Sequence, residues 1–310
     1  MKILLLGKNG QVGWELQRAL SPLGELVALD ADSTGLCGDF TRPDDLAHTI
    51  RSVQPQVIVN AAAYTAVDKA ESEPALARLI NADGPALLAR EAHALGAWLL
   101  HYSTDYVFDG SGNTPWTESD APAPRNVYGQ TKLEGERAVQ TGCAKHLILR
   151  TSWVYAARGG NFAKTMLRLA REREVLNVID DQVGAPTGAE LLADVSVLAL
   201  RQLQQRPQDA GLYHCTAAGA TSWFEYANAV LGQVQLAQTA SKLIANGATP
   251  QAWARLQRIA SANYPVAAQR PLNSRLDCSR LCTTFDLTLP PWQQGVARML
   301  TEILERETAT

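Results

Sequence analysis

Short apolar runs alternate with amphipathic segments along the first half of the chain. Five runs are typical of buried strands: KILLLG, ELVALD, VIVNAAA, AWLLHYS and HLILRTSWVY. The stretches between them, among them VGWELQRALSPLG and PALARLINADGPALLAREAHALG, carry the helical spacing of apolar residues. Because strands that are apolar on both faces need helices on both sides, the pattern predicts an α/β fold with a doubly wound parallel sheet.

This rhythm loosens after about residue 155. Further amphipathic helices are predicted in NFAKTMLRLAREREV, GAELLADVSVLALRQL and TSWFEYANAVLGQV. Residues 240–275 are predicted to be loop-rich, and a last helix is expected in LPPWQQGVARMLTEILERE, after paired prolines. We therefore expect a first domain over residues 1–153 and a smaller α/β domain mainly over residues 154–310, from which the chain can cross back to the first.

A glycine-rich loop, GKNGQVG, follows the first predicted strand and begins the first predicted helix. Its glycines Gly7, Gly10 and Gly13 are evenly spaced. Such a loop turns tightly, lets the backbone approach a pyrophosphate and packs the helix on the strand, while the helix N-terminus attracts the anion. The spacing and its strand–loop–helix context predict a Rossmann-type domain that binds a dinucleotide.

Acidic and small residues follow the next strands at the same edge of the sheet. Asp30 ends the second strand, where a carboxylate accepts hydrogen bonds from the adenosine ribose. Asp39 and Phe40 are candidates to flank the adenine, and the alanines at 61–63 either admit the cofactor close to the backbone or pack a helix on the sheet. Since Asp30 repels a 2′-phosphate and Lys8 can offset that repulsion, NADPH and NADH both stay open.

A tyrosine and a lysine lie one helical turn apart in NVYGQTKLEGE. Tyr128 and Lys132 are at positions i and i+4, so their side chains share one face of the helix. The preceding strand ends in HYSTDYVFDG, which places Thr104 at the same sheet edge as the glycine loop. Because the helix has to pack beside this strand, we expect Thr104, Tyr128 and Lys132 to converge next to the nicotinamide.

These three residues fit a proton-transfer site. Hydride transfer to a ketone creates an alkoxide, which needs a proton donor. A free phenol has a pKa of about 10, and we expect the ammonium of Lys132 to lower the pKa of Tyr128 by stabilising the phenolate. The hydroxyl of Thr104 can orient the carbonyl and share its developing charge, and Lys132 can also bind the nicotinamide ribose.

Composition narrows the class of protein further. The chain of 310 residues has a net charge of −3 without a basic block, so neither nucleic acid nor an anionic membrane is an expected partner. Its five cysteines are scattered and lack a CxxC pair, which favours reduced thiols over a zinc site or a disulfide framework. No apolar stretch has the length of a membrane span, so we expect a cytoplasmic protein.

Together, the GxxGxxG loop, the strand-end aspartate, the STD strand end and the YxxxK pair resemble the extended short-chain dehydrogenase/reductase superfamily. Within it, the chain is similar from Met1 to about Leu304 to reductases of dTDP-linked 4-keto-6-deoxy sugars. The segments that carry the similarity include VIVNAAAYTAVDKAE, LRTSWVYA, DQVGAPTGAELLAD and RPLNSRLD. The resemblance implies NAD(P)H-dependent reduction of the C4 keto group of dTDP-4-dehydro-L-rhamnose to dTDP-L-rhamnose for cell-surface polysaccharide synthesis, with Tyr128 as proton donor.

The resemblance also implies roles for individual residues at matching positions. The implied cofactor-binding residues are Gly10, Gln11, Val12, Asp30, Asp39, Phe40, Ala62, Ala63, Tyr64, Tyr128 and Lys132. Thr104 is implied to tune the phenol. The residues implied to contact the sugar nucleotide are Thr104, Asp105, Trp153, Asn161, Phe162, Gln182 and Arg270. Of these, Arg270 is the best candidate for the diphosphate on chemistry alone.

Some bacterial members of the family form homodimers through an acidic magnesium site. Glu15, Glu190 and Glu302 stand in the matching segments of this chain, although exposed helical glutamates are the simpler interpretation. The stretch from 233 to 262 departs from the family in length and composition. The details of the substrate lid, and any contact between copies there, are therefore left open.

Three alternatives stay open. A sugar-nucleotide dehydratase or epimerase shares the fold and the YxxxK pair, but dehydratases place a glutamate after the Thr-Asp pair, where this chain has Tyr106. A reductase of another nucleotide 4-keto-6-deoxy sugar is poorly separated by local sequence. A non-catalytic NADP-binding regulatory subunit would keep the same cofactor site, so only turnover separates it from an enzyme.

Overall fold

A computed structural model describes the backbone of residues 1–245 and 253–308 and the side chains of residues 1–236 and 253–306. The strands are β1 (Lys2–Leu6), β2 (Glu25–Leu29), β3 (Val57–Asn60), β4 (Trp98–Thr104), β5 (His146–Thr151), β6 (Val154–Tyr155), β7 (Val175–Ile179), β8 (Val183–Gly184), β9 (Thr187–Gly188), β10 (Gly211–His214), β11 (Thr221–Ser222) and β12 (Arg255–Ile259). The α-helices are α1 (Gln11–Leu20), α2 (Pro43–Val53), α3 (Val67–Ala70), α4 (Pro74–Arg78), α5 (Gly84–Leu95), α6 (Val127–Gly142), α7 (Phe162–Glu172), α8 (Ala189–Leu203), α9 (Trp223–Ala245), α10 (Ser279–Phe285) and α11 (Trp292–Thr308).

Six parallel strands form the central sheet in the order β2-β1-β3-β4-β5-β10. The inner strands are apolar on both faces because both faces are covered. Helices α1, α8 and α10 contribute to the core on one face, and α2, α5 and α6 to the core on the other. The predicted doubly wound α/β fold of Rossmann type is confirmed.

A second group of elements, which follows β5 in the sequence, has its own hydrophobic core. Helices α7, α9 and α11 pack around β7 and β12, two parallel strands that form their own small sheet. Between these elements the chain returns to the central sheet and its helices, where α8 packs on α1 and β10 pairs with β5. The expectation that residues 240–275 are loop-rich is wrong for β12, whose backbone is satisfied by pairing with the distant β7. Of the divergent stretch 233–262, residues 246–252 lie outside the described part of the chain.

The sheet fixes where a ligand can bind. From β1 the chain moves outward to β2 and then returns to β3 on the other side, so the strand order reverses between β1 and β3. Open α/β sheets bind ligands at the carboxyl ends of the strands at such a point. Within the described residues, no helix combines the length and the apolar character that crossing a membrane needs.

Candidate active site

A cavity of about 610 Å³ lies beyond the carboxyl ends of β1 to β5. It extends from the glycine loop to the residues that follow β5. The lining residues that were predicted to bind the cofactor, to bind the substrate or to act in catalysis are Gly7, Gly10, Gln11, Val12, Asp30, Asp39, Phe40, Ala62, Ala63, Thr104, Asp105, Tyr128, Lys132 and Trp153. One cavity therefore joins the dinucleotide loop to the Tyr-Lys helix.

The glycine loop has the shape that a pyrophosphate requires. Gly7 has φ +86°, a left-handed conformation that favours glycine, and a Cβ there would lie 2.6 Å from the backbone nitrogen of Ala62. A Cβ on Gly13 would lie 1.9 Å from the carbonyl oxygen of Gly7. Gly10 is the N-cap of α1, so the amide end of that helix faces the cavity. The residues present fit a bound NAD(P) pyrophosphate.

Asp30 links the end of β2 to the glycine loop. Its carboxylate accepts hydrogen bonds from the backbone amides of Asn9 (2.9 Å) and Ala31 (2.8 Å). Asp39 accepts from the amide and hydroxyl of Thr41, both at 2.8 Å. These contacts fix both carboxylates at the cavity wall, where an adenosine ribose and a base would lie.

Tyr64, a predicted cofactor-binding residue, is not among the residues that line this cavity. Its hydroxyl donates a 2.6 Å hydrogen bond to Glu73, and its backbone amide donates to the side chain of Asn81 at 2.9 Å. The hydrogen bond to Glu73 raises the pKa of Tyr64. In this conformation the phenol of Tyr64 is engaged on the protein, so any cofactor contact at this position involves the ring or the backbone.

The three predicted catalytic residues come together as the sheet and α6 pack. Thr104 ends β4, and its hydroxyl lies 3.1 Å from the carboxylate of Asp105. Tyr128 and Lys132 lie on the first turns of α6, which begins at its N-cap Asn126. Burial raises the pKa of Tyr128, and the hydroxyl of Thr104 opposes that rise.

The expected influence of Lys132 on the phenol differs from what the structure shows. The buried ammonium donates a 2.6 Å hydrogen bond to the backbone carbonyl of Tyr102. Burial is the dominant effect on both groups: it raises the pKa of Tyr128 to about 12 and lowers the pKa of Lys132 to about 8. The phenol is consequently protonated at neutral pH, the form that a proton donor needs.

Asp105 is a buried carboxyl group beside the catalytic threonine. Burial raises its pKa to about 7, against the opposing effect of hydrogen bonds from Ser274 and Thr104. Among the residues that the structure describes, its Oδ2 atom has no hydrogen-bond partner. Because a buried polar atom is costly without a hydrogen bond, this oxygen is available to a hydroxyl of a ligand in the cavity.

Two tryptophans form part of the cavity wall. The rings of Trp153 and Trp223 stack with centroids 3.6 Å apart and planes 13° apart. Trp153 has φ +49°, a conformation that is uncommon outside glycine. Gly184 makes room for its ring, since a Cβ there would lie 2.6 Å from ring atom Cε2. The ring of Trp153 is thus held at the cavity by strained backbone and by packing.

Three residues predicted to contact the nucleotide lie behind that wall. Asn161 caps α7 and donates to the side chain of Gln11 at 3.1 Å. Phe162 packs against Trp223 with ring centroids 4.5 Å apart. Gln182 accepts a 3.1 Å hydrogen bond from the indole of Trp223. These three side chains support the cavity wall and are not among its lining residues.

Arg270 is not among the lining residues of the cavity and forms a bidentate ion pair with Asp68. Its guanidinium donates to both carboxylate oxygens of Asp68, at 2.6 and 3.0 Å. Asp68 follows Val67, which lines the cavity. The structure therefore places Arg270 near the site, with an acidic partner that sequence reasoning did not anticipate.

The three glutamates predicted to bind magnesium each face an arginine. Glu15 lies 3.7 Å from Arg18 and Glu190 lies 3.3 Å from Arg298, while Glu302 pairs with Arg306. Among the residues that the structure describes, there is no group of three or more histidine, cysteine or acidic residues arranged to hold a metal ion. A single chain therefore does not fit the predicted magnesium site.

Several lining residues were missed from sequence. Trp223 reads as one apolar position of an amphipathic helix, and Val67 and Ile80 as ordinary core residues. Ser103, Thr151 and Ser152 also line the cavity. The serine of STD and the threonine and serine of LRTSWVY did give a signal, since polar residues at strand ends share one sheet edge.

The cofactor loop and the tyrosine–lysine helix meet in one cavity at the reversal point of a parallel sheet. That combination is the architecture of the NAD(P)-dependent oxidoreductases of the extended short-chain dehydrogenase/reductase class.

Comparison with known proteins narrows this class. The chain belongs to the family described as RmlD substrate binding domain, whose model matches residues 1–305. It is 57% identical over 303 residues to a dTDP-4-dehydrorhamnose reductase of Escherichia coli (strain K12), covering 98% of each chain. A crystal structure of a dTDP-4-dehydrorhamnose reductase from Clostridium acetobutylicum is similar with TM-score 0.85 and 34% identity, covering 98% of this chain and 100% of the other. That of the Bacillus anthracis enzyme in complex with NADP gives TM-score 0.83 and 33% identity, with 97% and 99% coverage.

Proposed function

We propose that this chain catalyses the NAD(P)H-dependent reduction of the C4 keto group of dTDP-4-dehydro-L-rhamnose, giving dTDP-L-rhamnose for cell-surface polysaccharides, with Tyr128 as the proton donor. The observation that carries the proposal is the single cavity that joins the glycine loop to Thr104, Tyr128 and Lys132. The similarity to dTDP-4-dehydrorhamnose reductases over nearly the whole chain supports the choice of substrate.

The cofactor would supply a hydride to the carbonyl carbon. Gly7, Gly10 and Gly13 would bind its pyrophosphate against the N-terminus of α1, and Asp30 would accept the hydrogen bonds of its ribose. Lys132 would hold the nicotinamide ribose from its buried position against β4. In this arrangement the nicotinamide end points toward the Tyr-Lys helix.

The chain's own contribution to the chemical step is a proton. The phenol of Tyr128 is protonated at neutral pH because burial raises its pKa. It would donate this proton to the oxygen as negative charge develops there, and the resulting phenolate would be stabilised by Thr104. The orphan oxygen of Asp105 would accept a hydrogen bond from a sugar hydroxyl, which fixes the ring in one orientation.

The direct test is oxidation of NADPH or NADH by the purified chain with dTDP-4-dehydro-L-rhamnose, followed by the loss of nicotinamide absorbance and by analysis of the product. We expect one cofactor oxidised per dTDP-L-rhamnose formed. Binding of the cofactor without turnover would contradict the proposal and favour a regulatory subunit. Turnover only with another nucleotide 4-keto-6-deoxy sugar would support the proposed reaction class but show that the proposed substrate is wrong.

A homodimer joined by magnesium remains a prediction from the family resemblance. Burial raises the pKa of Glu190 and the nearby charge of Glu15 adds to that rise, whereas Glu302 pairs with Arg306. Sedimentation of the chain with magnesium and with a chelator tests the prediction, which requires that the chelator shifts a dimer to the monomer.

A further inference from the structure

The Asp68–Arg270 ion pair connects two parts of the chain that are far apart in sequence. Asp68 lies on α3, and Arg270 lies on an irregular segment, residues 264–272, that we call the strap. Asp68 also accepts a 3.1 Å hydrogen bond from the backbone amide of Ala268. One carboxylate therefore binds both the charged side chain and the backbone of the strap.

The strap is held at its other contacts without Asp68. The carbonyl of Gln269 accepts a 2.7 Å hydrogen bond from Asn126, the N-cap of α6. The carbonyl of Leu272 accepts a 2.8 Å hydrogen bond from the amide of Val183. Since these anchors are independent of charge, the carboxylate of Asp68 is not needed to keep Arg270 near the cavity.

The guanidinium of Arg270 lies close to the lining of the cavity. Burial raises the pKa of Tyr106, a lining residue, and the nearby charge of Arg270 opposes that rise. The ring of Tyr106 meets the ring of Tyr128 edge-on, with centroids 5.4 Å apart. Val67 also lines the cavity and immediately precedes Asp68. Both partners of the ion pair are thus adjacent to lining residues.

The charges around the cavity make this position significant for a sugar nucleotide. Within the described part of the chain, the lining contains three acidic residues, Asp30, Asp39 and Asp105, and one basic residue, Lys132. The ammonium of Lys132 is already bound to the carbonyl of Tyr102. A diphosphate that enters this cavity therefore needs a further cation, and Arg270 lies close to the lining residue Tyr106.

A guanidinium presents the same planar pair of donors to a carboxylate and to two phosphate oxygens. Asp68 now occupies that pair of donors, with its side chain 46% exposed and the side chain of Arg270 24% exposed. Exposed carboxylates exchange partners at small cost, because their ion pairs contribute little in water.

We propose that Asp68 is a placeholder counter-ion, which occupies the guanidinium of Arg270 until the diphosphate of the nucleotide sugar displaces it. The inference rests on the proposed function, since it takes a nucleoside diphosphate as the ligand. Asp68 then lowers substrate affinity through competition. In the free chain the two donors of the Arg270 guanidinium are paired with Asp68, and in the bound chain they are paired with the phosphates.

The test is the affinity of the chain, saturated with NADP, for dTDP and for thymidine, measured by calorimetry. Asp68→Asn keeps an acceptor for the amide of Ala268 and removes the competing charge. We expect it to bind dTDP roughly three- to tenfold more tightly than the unaltered chain and to bind thymidine equally well. Arg270→Gln should weaken dTDP binding, and in that background Asp68→Asn should have no further effect.

The control is Asp109→Asn, which removes the same charge from another exposed pair, with Arg125, outside the cavity lining. It should leave dTDP affinity unchanged. Should Arg270→Gln fail to fold, as judged by its melting temperature with NADP, Arg270→Lys replaces it in the same comparison with Asp68→Asn. Lysine keeps the charge but lacks the planar pair of guanidinium donors.

Unchanged or weaker binding of dTDP by Asp68→Asn would overturn the inference, as would a gain that persists without Arg270. Failure of the unaltered chain to bind dTDP at all would instead contradict the proposed function, and the inference with it.

Discussion

The ammonium of Lys132 is bound to the backbone carbonyl of Tyr102 at 2.6 Å, on the strand that ends at Thr104. Lys132 is therefore fixed to the sheet, one helical turn from Tyr128, and does not offset the effect of burial on the phenol. Burial raises the pKa of Tyr128 to about 12, and Thr104 is the group that opposes this rise. Proton donation by Tyr128 and binding of the cofactor ribose by Lys132 are therefore separate roles.

Replacement of Tyr128 by phenylalanine should remove the proton donor and little else. We expect kcat to fall by roughly two to four orders of magnitude, the usual contribution of general acid catalysis, with the Kd for NADPH nearly unchanged. Stopped-flow turnover and fluorescence titration measure the two quantities.

Tyr106→Phe is the matched control, because this second phenol lines the same cavity and contacts the ring of Tyr128. It should retain most of the activity. Near-normal turnover in Tyr128→Phe, or equal losses in both variants, would argue against Tyr128 as the acid.

The buried carboxyl of Asp105 predicts how stability depends on pH. Its pKa is raised from 3.8 to about 7 in the folded chain, so between these values the folded state binds more protons than the unfolded state. Stability contributed by the neutral carboxyl is complete below pH 3.8 and is lost as pH rises through 7. Asp105→Asn should therefore be more stable than the unaltered chain above pH 7, by on the order of 4 kcal/mol, and equal to it near pH 4.

Denaturant unfolding at a series of pH values measures this difference. Asp109→Asn is a control of opposite sign, because hydrogen bonds from Ser111 lower the pKa of Asp109, and its loss should destabilise the chain at neutral pH. If the stability curves of Asp105→Asn and the unaltered chain run parallel from pH 4 to pH 8, Asp105 does not titrate as described.

Cofactor choice should depend on Asp30. Asp30→Ser removes both a ribose acceptor and a negative charge that would repel a 2′-phosphate, so affinity for NADH should fall while affinity for NADPH holds or rises. Dissociation constants for the two cofactors measure the change. Asp32→Ser, two residues along in the same loop and outside the cavity lining, should alter neither. Equal constants in Asp30→Ser and the unaltered chain would show that Asp30 does not face the ribose.

The parts of the fold that sequence predicts are those whose signal is local. The five predicted strands and the glycine loop are found because apolar runs and glycine spacing are recognisable within a few residues. The prediction that ELVALD is a buried strand is wrong, because β2 is an edge strand in which only Leu29 is buried. β10 was missed because four residues at the edge of the sheet, GLYH, give no period, and its partner β5 lies far away in sequence. β12 was missed for the same reason, since its partner β7 lies far away in sequence.

In the site, sequence placed the residue types but not their partners. Tyr128 and Lys132 were found from helical spacing, yet the acceptor of Lys132 is a backbone carbonyl, which has no signature in the side-chain sequence. Arg270 was found as a cation, but its partner Asp68 is 202 positions away. Tertiary packing decides both contacts, and both alter the electrostatics on which the mechanism depends.

The fate of the hydride separates a reductase from its relatives with the same fold. The motivating observation is the pairing of Thr104, Tyr128 and Lys132 with Tyr106, which stands where elimination chemistry would place a carboxylate. A reductase consumes one reduced cofactor per product, whereas a dehydratase or an epimerase returns the hydride to the sugar within each cycle. With deuteride at C4 of the nicotinamide, we expect deuterium at C4 of the rhamnose in dTDP-L-rhamnose and stoichiometric oxidation of the cofactor, both measured by NMR and mass spectrometry. Tyr128→Phe under the same conditions provides the background. Product without label at C4, or product formed without net cofactor oxidation, would exclude the reductase and favour an epimerase or a dehydratase.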